Sequence, residues 1–230
     1  MIVAPAIGAA VLGALAHGAL YPNSPLFGHV IAHIGTDQPA LALTFDDGPN
    51  PEATPAILDA LGARGVKASF FVLGRHAQRW PELVRRIADE GHSVCNHGFH
   101  HRKLHLKSPS YVRNDLELGT RAISDASGVR PRFFRAPHGF RSPWVTTIAR
   151  SLGQRTVGWS RGVWDSARPG VDVIADRTVR AAKWGAILLL HDGDGYDPLG
   201  DRTQTARAVP LIADRIREAG LEFVTLDSAA

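Results

Sequence analysis

The sequence predicts an α/β fold built on a parallel sheet, and three observations carry that reading. From residue 40 onward, short apolar runs alternate with longer amphipathic ones. The alternation recurs about seven times, the rhythm of strands joined by helical crossovers. The unusual polar residues fall where apolar runs end, which is where α/β folds gather their chemistry. A nearly closed barrel and an open doubly wound sheet both satisfy this pattern. The 230 residues suit one such unit, because α/β barrels reach ~200–250 residues as single domains.

The elements follow in order. Ala40 to Phe45 is a buried-strand pattern. Thr54-Pro55 suits an N-cap and first helical position, opening a helix to about Arg64. Ala68 to Leu73 is a second strand, and Pro81 to Glu90 a helix stopped by Gly91. His92 to His97 is a third strand. Ser108 opens a long helix to Ser127, again followed by glycine. Arg132 to Arg135 is a short strand, Ser142 to Leu152 a helix and Arg155 to Ser160 a strand. Val171 to Trp184 is helical, Ala186 to His191 a strongly apolar strand, Thr203 to Ala219 helical, and Leu221 to Leu226 the final strand.

Residues 1–37 stand apart from this rhythm, which places the folded domain at 38–230. Residues 2–20 are nearly all apolar or small. They read as a signal, a membrane anchor or a helix packed on the domain. No Lys or Arg precedes them, so the usual positive n-region is missing. The run Tyr21-Pro22-Asn23-Ser24-Pro25 reads as a break and a linker.

Composition excludes some classes. Hydrophobic residues at 44% and charged residues at 21% are ordinary for a globular chain, not a disordered one. The formal charge is +4. Its cations are scattered, with no basic stripe and interleaved aromatics, so nucleic acid is not an expected partner. The single cysteine, Cys95, excludes an internal disulfide and a cysteine zinc cluster. Its apolar flanks suggest a buried, inert thiol.

Four clusters carry candidate chemistry. In Thr44-Phe45-Asp46-Asp47-Gly48-Pro49, two adjacent carboxylates would face opposite ways on a continuing strand, but a break at Gly48-Pro49 lets both face one rim. The same residues also make an ordinary turn. Residues 97–105 hold four histidines in nine positions. His97 and His101 share a face on a helical turn, as do His101 and His105. Two imidazoles and a carboxylate make an open tridentate site of the catalytic zinc type, and other first-row metals suit it as well. In Phe134-Arg135-Ala136-Pro137-His138-Gly139, a strand-end arginine can hold a carboxylate through bidentate hydrogen bonds. In Leu188-Leu189-Leu190-His191-Asp192, a histidine closing an apolar strand can donate a proton at the rim.

Together these clusters closely resemble the polysaccharide deacetylase family (carbohydrate esterase family 4, the NodB homology domain), over roughly residues 38–228. The resemblance implies a distorted (β/α) barrel with about seven parallel strands. It implies that Asp46 is the catalytic base and that Asp47, His97 and His101 hold a divalent metal. Zinc is the first choice, with cobalt, nickel or manganese as alternatives. Arg135 would hold Asp46, the backbone N–H of His138 would join the oxyanion hole, and Leu189 would face the acetyl methyl. His191 would be the general acid, oriented by Asp165. Two positions depart from the family pattern. Gly98 replaces a Ser or Thr that braces the metal loop. The stretch Arg161 to Ser166 keeps an Asp but places Trp164 before it, where the family's pocket tryptophan follows, and Trp164 is the candidate to contact the substrate there, beside Leu189 and His138.

The implied partner is an N-acetylated glycan of chitooligosaccharide or peptidoglycan type. The implied protein is a monomer at the cell envelope or secreted. The rivals are an O-acetyl esterase acting on acetylated xylan, a deformylase or amide hydrolase on a lipid-linked sugar, and a carbohydrate-binding domain without activity. Intact Asp46, Arg135 and His191 argue against the last, since a binding module needs neither base nor acid.

Overall fold

A computed structural model describes residues 3–229. Residue 2 of the apolar N-terminal stretch lies outside them. The chain opens with helix α1 (Val3–Leu20) and continues through strand β1 (Ala40–Asp46), α2 (Ala53–Gly62), β2 (Ser69–Val72), α3 (Gly74–Arg79) and α4 (Pro81–Asp89). Next come β3 (Ser93–Asn96), α5 (Pro109–Ser127), β4 (Phe133–Phe134), α6 (Val145–Ser151), β5 (Arg155–Thr156) and β6 (Arg161–Gly162). The last elements are α7 (Val171–Ala181), β7 (Ile187–His191), α8 (Thr203–Glu218), β8 (Glu222–Phe223) and α9 (Leu226–Ala229). Among the described residues, no helix is long and apolar enough to cross a membrane.

Seven strands lie side by side in the order β5-β4-β3-β2-β1-β7-β6, and β8 pairs the start of β1. Every pairing between these strands is parallel. The sheet curls into the distorted half-barrel that the sequence predicts. Alternate residues face opposite sides. Leu41, Leu43 and Phe45 of β1 therefore pack outward with Phe70, Val72, Leu188 and Leu190 against the helices. Ala42 faces inward with Phe71, Cys95, Phe133, Val157 and Ile187. Cys95 is free and buried, and burial drives its thiol pKa well up.

The barrel wall between β5 and β7 is completed by a segment that is not a strand. Ile31 pairs Val157, and His33 pairs Ala186. The Ser160 hydroxyl donates to the Ala32 carbonyl at 2.7 Å. The stretch read as a linker is fastened too. Asn23 donates to the Trp159 carbonyl at 2.8 Å, and buried Arg141 donates to the Ser24 carbonyl at 2.8 Å.

Several element readings need correction. Helix α3 is missing from the sequence reading because its six residues, including Gly74, His76 and two arginines, show no apolar stripe. The 155–160 strand keeps only two residues, and 161–162 forms a separate strand beyond it. Thr54 does not cap α2. The Asn50 side chain accepts from the Glu52 and Ala53 amides at 3.0 and 2.9 Å, while the Thr54 hydroxyl donates to Asp192 at 2.6 Å.

Candidate active site and metal centre

The C-terminal ends of β1, β3, β4 and β7 converge on one cavity of about 200 Å³ lined by Asp46, Asp47, His97, His101, Leu189 and His191, among others. β1 is buried along its whole length and delivers both aspartates. Asp46 stays in the sheet opposite His191. Asp47 takes a left-handed conformation, φ 74°, which breaks the strand's alternation and lets both carboxylates reach the rim. The His97 Nε2 then lies 3.2 Å from Asp47 Oδ1 and 3.8 Å from Asp46 Oδ2.

His97 follows β3, and its Nδ1 donates to the Arg135 carbonyl at 2.9 Å. That bond leaves the Nε2 lone pair pointing into the site, the arrangement that second-shell partners impose on metal-binding histidines. His101 places its Nε2 3.0 Å from the same Asp47 oxygen. Asp47, His97 and His101 offer ligand atoms all within 4.8 Å of one another. Asp47 Oδ1 is buried without a hydrogen-bond partner. A buried carboxylate oxygen facing an imidazole lone pair needs a cation between them, so the donor set fits a divalent metal. Burial alone pushes the Asp47 pKa up, but the close imidazoles of His101 and His97 hold it well below the usual carboxylate range.

Two expectations about this triad change in detail. Residues 97–103 are not a helical turn; His101 reaches the site from a loop with φ 56°. The second possible pair, His101 with His105, is not formed, since only His97 joins His101 among the clustered ligands. The loop has its own support. Asp115 of α5 accepts from the Phe99 and His100 amides at 3.0 and 3.2 Å and from His100 Nδ1 at 2.7 Å. Gly98 has φ +77°, and a Cβ there would lie 2.6 Å from Asp115 Oδ2. The missing Ser or Thr is thus matched by a carboxylate that occupies its space.

Arg135, at the end of β4, is fully buried. Its Nη1 donates to Asp46 Oδ1 at 2.6 Å and to the Thr44 hydroxyl at 2.9 Å, and its Nη2 to the Gly158 carbonyl at 2.7 Å. The guanidinium lies 3.9 Å from the Phe71 ring centre. The contact with Asp46 is therefore single, not the bidentate fork read from the sequence. That geometry leaves Asp46 Oδ2 free toward the cavity.

Across the site, the His191 Nδ1 is 2.8 Å from Asp165 Oδ1, and its backbone N–H donates to Asp165 Oδ2 at 2.8 Å. The Thr205 hydroxyl also donates to Asp165, at 2.9 Å. Burial opposes protonation of His191, but the charge and hydrogen bond of Asp165 outweigh it, and its pKa rises to about 9. Leu189 shares the inward face of β7 with His191 and lines the cavity. His138, with φ 59°, lines it as well. Its Nε2 meets the Tyr196 hydroxyl at 2.9 Å, and burial and nearby His101 lower its pKa to about 4.

One residue named from the sequence is placed elsewhere. Trp164 is 74% exposed and lines a different groove. The cavity's tryptophan is Trp159, which precedes the rearranged stretch. Sequence reasoning also passed over His76, Asp194, Tyr196 and Arg202. His76 Nδ1 donates to the Asp47 carbonyl at 2.9 Å. Burial lowers the His76 pKa to about 4, so the ring is neutral. Asp194, Tyr196 and Arg202 belong to the loop after β7, and Arg202 binds Asp194 at 2.8 Å. The Asp/Gly-rich run 192–200 was the available signal, because it leaves a strand end on the same rim. Gly195 packs so closely that a Cβ would lie 1.9 Å from His101 Nδ1.

Known proteins place this arrangement. The polysaccharide deacetylase family profile matches residues 33–157. A chitooligosaccharide deacetylase of Bradyrhizobium sp. (strain ANU 289) is 40% identical over 190 residues, covering 79% of this chain and 86% of that protein. The crystal structure of a peptidoglycan N-acetylglucosamine deacetylase, Bc1960, matches with TM-score 0.80 and 31% identity over 86% of this chain and 91% of its own. A carbohydrate esterase family 4 pseudoenzyme from Bacillus anthracis matches with TM-score 0.78 and 26% identity, over 86% of this chain and 67% of its own.

Proposed function

The chain belongs to the polysaccharide deacetylase family, hydrolases of carbon–nitrogen bonds other than peptide bonds, and from that premise we propose that it removes N-acetyl groups from amino-sugar oligomers or polymers of chitooligosaccharide or peptidoglycan type. The observation that carries the reading is the meeting of three units on one small cavity: Asp46 held by Arg135, His191 held by Asp165, and the triad of Asp47, His97 and His101. A binding module needs none of these pairings.

A cavity of about 200 Å³ holds an acetamido group and part of one sugar ring, being smaller than the ~300–1,000 Å³ of pockets for whole drug-sized ligands. Leu189 offers an apolar wall to the acetyl methyl. Asp47, His97 and His101 would hold a divalent metal, zinc first, which when bound would supply Lewis acidity to a carbonyl and lower the pKa of a water. Asp46 takes a proton from the attacking water through its free Oδ2, while Arg135 keeps Oδ1 in place. The backbone N–H of His138 faces the developing oxyanion. His191, protonated at neutral pH, gives its proton to the leaving amine. Acetate and a free amino sugar result. Action on an envelope glycan would place the protein at the cell envelope or outside the cell, and action on a soluble chitooligosaccharide would allow the cytoplasm.

Acetate release from chitooligosaccharides and peptidoglycan fragments tests the reading. We expect release on at least one of them, loss after complete chelation, and recovery on adding back Zn²⁺ or Co²⁺. Full activity after chelation would rule out the metal-assisted route.

A further inference from the structure

Four cations that are separate in sequence, Arg161, Arg177, Arg180 and Lys183, meet in one surface groove of about 570 Å³ along the edge of β6. No acidic side chain lines it. Among the described residues, none of the four takes part in an ion pair. Asp176, one turn before Arg180, is held by Arg215 at 2.7 Å. The groove thus gathers as many unpaired positive charges as the +4 excess of the entire chain. Clustered like charges repel, and a concave surface concentrates their field, so such a place favours an anionic ligand.

The same groove carries Trp164 and Trp184, exposed by 74% and 56%. Trp164 sits between the buried Val163 and Asp165 with φ 59°, a strained conformation for a bulky residue. The indole is held out of the core by its neighbours. Trp184 is fixed by its Nε1–H donating to the Thr36 carbonyl at 3.0 Å. Indole faces are electron-rich and lie well against the C–H faces of sugar rings. Guanidinium groups match carboxylate and phosphate oxygens.

The groove also borders the catalytic cavity. Trp159 and Ser166 line the cavity, and Arg161 to Trp164 line the groove. A Cβ on Gly162 would come within 3.6 Å of Trp159 and 3.8 Å of Leu189, so a groove residue of β6 lies directly against two side chains of the cavity.

We propose that this groove is a binding site for an acidic glycan, with its carboxylate or phosphate groups on Arg161, Arg177, Arg180 and Lys183 and its sugar faces on Trp164 and Trp184. The choice of a glycan over other polyanions rests on the deacetylase reading; the preference for anions rests on the groove alone.

The test is calorimetric titration of the full chain with four probes: hexagalacturonate, a phosphorylated maltohexaose, neutral chitohexaose and an oligodeoxythymidylate of matched charge. We expect one of the two acidic sugars to bind most tightly, weakening with salt as surface charge interactions do; whichever binds better names the acid group. The variant Arg180→Ala/Lys183→Ala changes two exposed side chains, so folding is preserved. It should lose about tenfold or more in affinity for the acidic sugar, the loss expected for two charge-assisted contacts, while acetate release from a short neutral substrate stays at the wild-type level. Unchanged affinity in the variant, equal binding of chitohexaose, or tighter binding of the oligonucleotide would overturn the proposal. Failure to release acetate from any substrate, with acidic-sugar binding intact, would strike the deacetylase reading and leave the anion site standing.

Discussion

At the residue scale, chemistry is divided among carboxylates by what each one touches. Asp46 and Asp47 are neighbours in sequence, yet one faces a guanidinium and the other two imidazoles. Asp46→Asn keeps the size and the oxygen that Arg135 holds. The variant should retain metal binding and thermal stability and lose about 10²–10⁴-fold in turnover, the usual worth of a general base. Wild-type acetate release from it would remove Asp46 from that role. Asp165 acts through His191. It raises the His191 pKa to about 9 from an ordinary 6.5. The stabilisation from this pair is therefore complete below about pH 6.5 and is lost as pH rises through about 9. A general acid works while protonated, so the alkaline limb of the rate profile should fall near pH 9. Asp165→Asn removes the charge that raises the pKa, and the limb should move to lower pH. A limb that stays in place would detach Asp165 from the titration of His191.

At the scale of elements, α5 sets the metal loop. The Asp115 carboxylate accepts three hydrogen bonds from residues 99 and 100, directly before His101. Asp115→Ala takes the partner from two half-buried amides, at about 1 kcal/mol each, the usual worth of such a bond. We expect about a 10–100-fold loss of zinc affinity, as other supporting groups give on removal, read by competition with a chelating dye. Zinc affinity equal to wild type would show that the loop holds without α5. This support could not be read from Gly98 alone. The glycine registers in sequence as a missing hydroxyl; the space it leaves is filled by a residue 17 positions on. The strand ends, by contrast, were legible. Asp46, Asp47, His97, Arg135 and His191 each close an apolar run, and parallel topology brings such ends together. Loop contributions were not, because Tyr196 and Arg202 reach the cavity through a run with no periodicity to follow. Chain position points Trp164 at the cavity, but its left-handed backbone turns the indole outward, 74% exposed.

At the scale of the molecule, the curled sheet leaves a gap that no strand fills. Alternating apolar runs announced the strands and helices from residue 40 onward, so the half-barrel was legible. The closing segment was not, since residues 31–34 make only isolated bridges and carry no strand pattern. Yet they join both sides of the gap. The Ile31 amide donates to the Thr156 carbonyl at 3.0 Å, the Gly158 amide to the Ile31 carbonyl at 2.9 Å, and the Ile34 amide to the Gly185 carbonyl at 2.9 Å. Ile34 is buried, and Ile31 packs on Val157 and Ile187 in the barrel interior. The segment also positions the catalytic rim, because Ser160, held to Ala32, in turn accepts from the Ile187 amide at 2.9 Å. β7 carries His191 from that point. A chain that begins at Gln38 loses these bonds and exposes the interior, whereas one that begins at Tyr21 keeps them. Burial of Ile34 is worth about 1.5–3 kcal/mol and half-buried Ile31 adds less, so the shorter chain should be less stable by more than about 2 kcal/mol in urea unfolding. Its acetate release should fall as well, through a misplaced His191, since the segment's hydrogen bonds run to residues beside β5 and β7 and none runs to the metal triad. Zinc affinity should therefore survive better than turnover in any shorter chain that still folds. Equal urea midpoints for the two chains would mean that the barrel closes without residues 21–37.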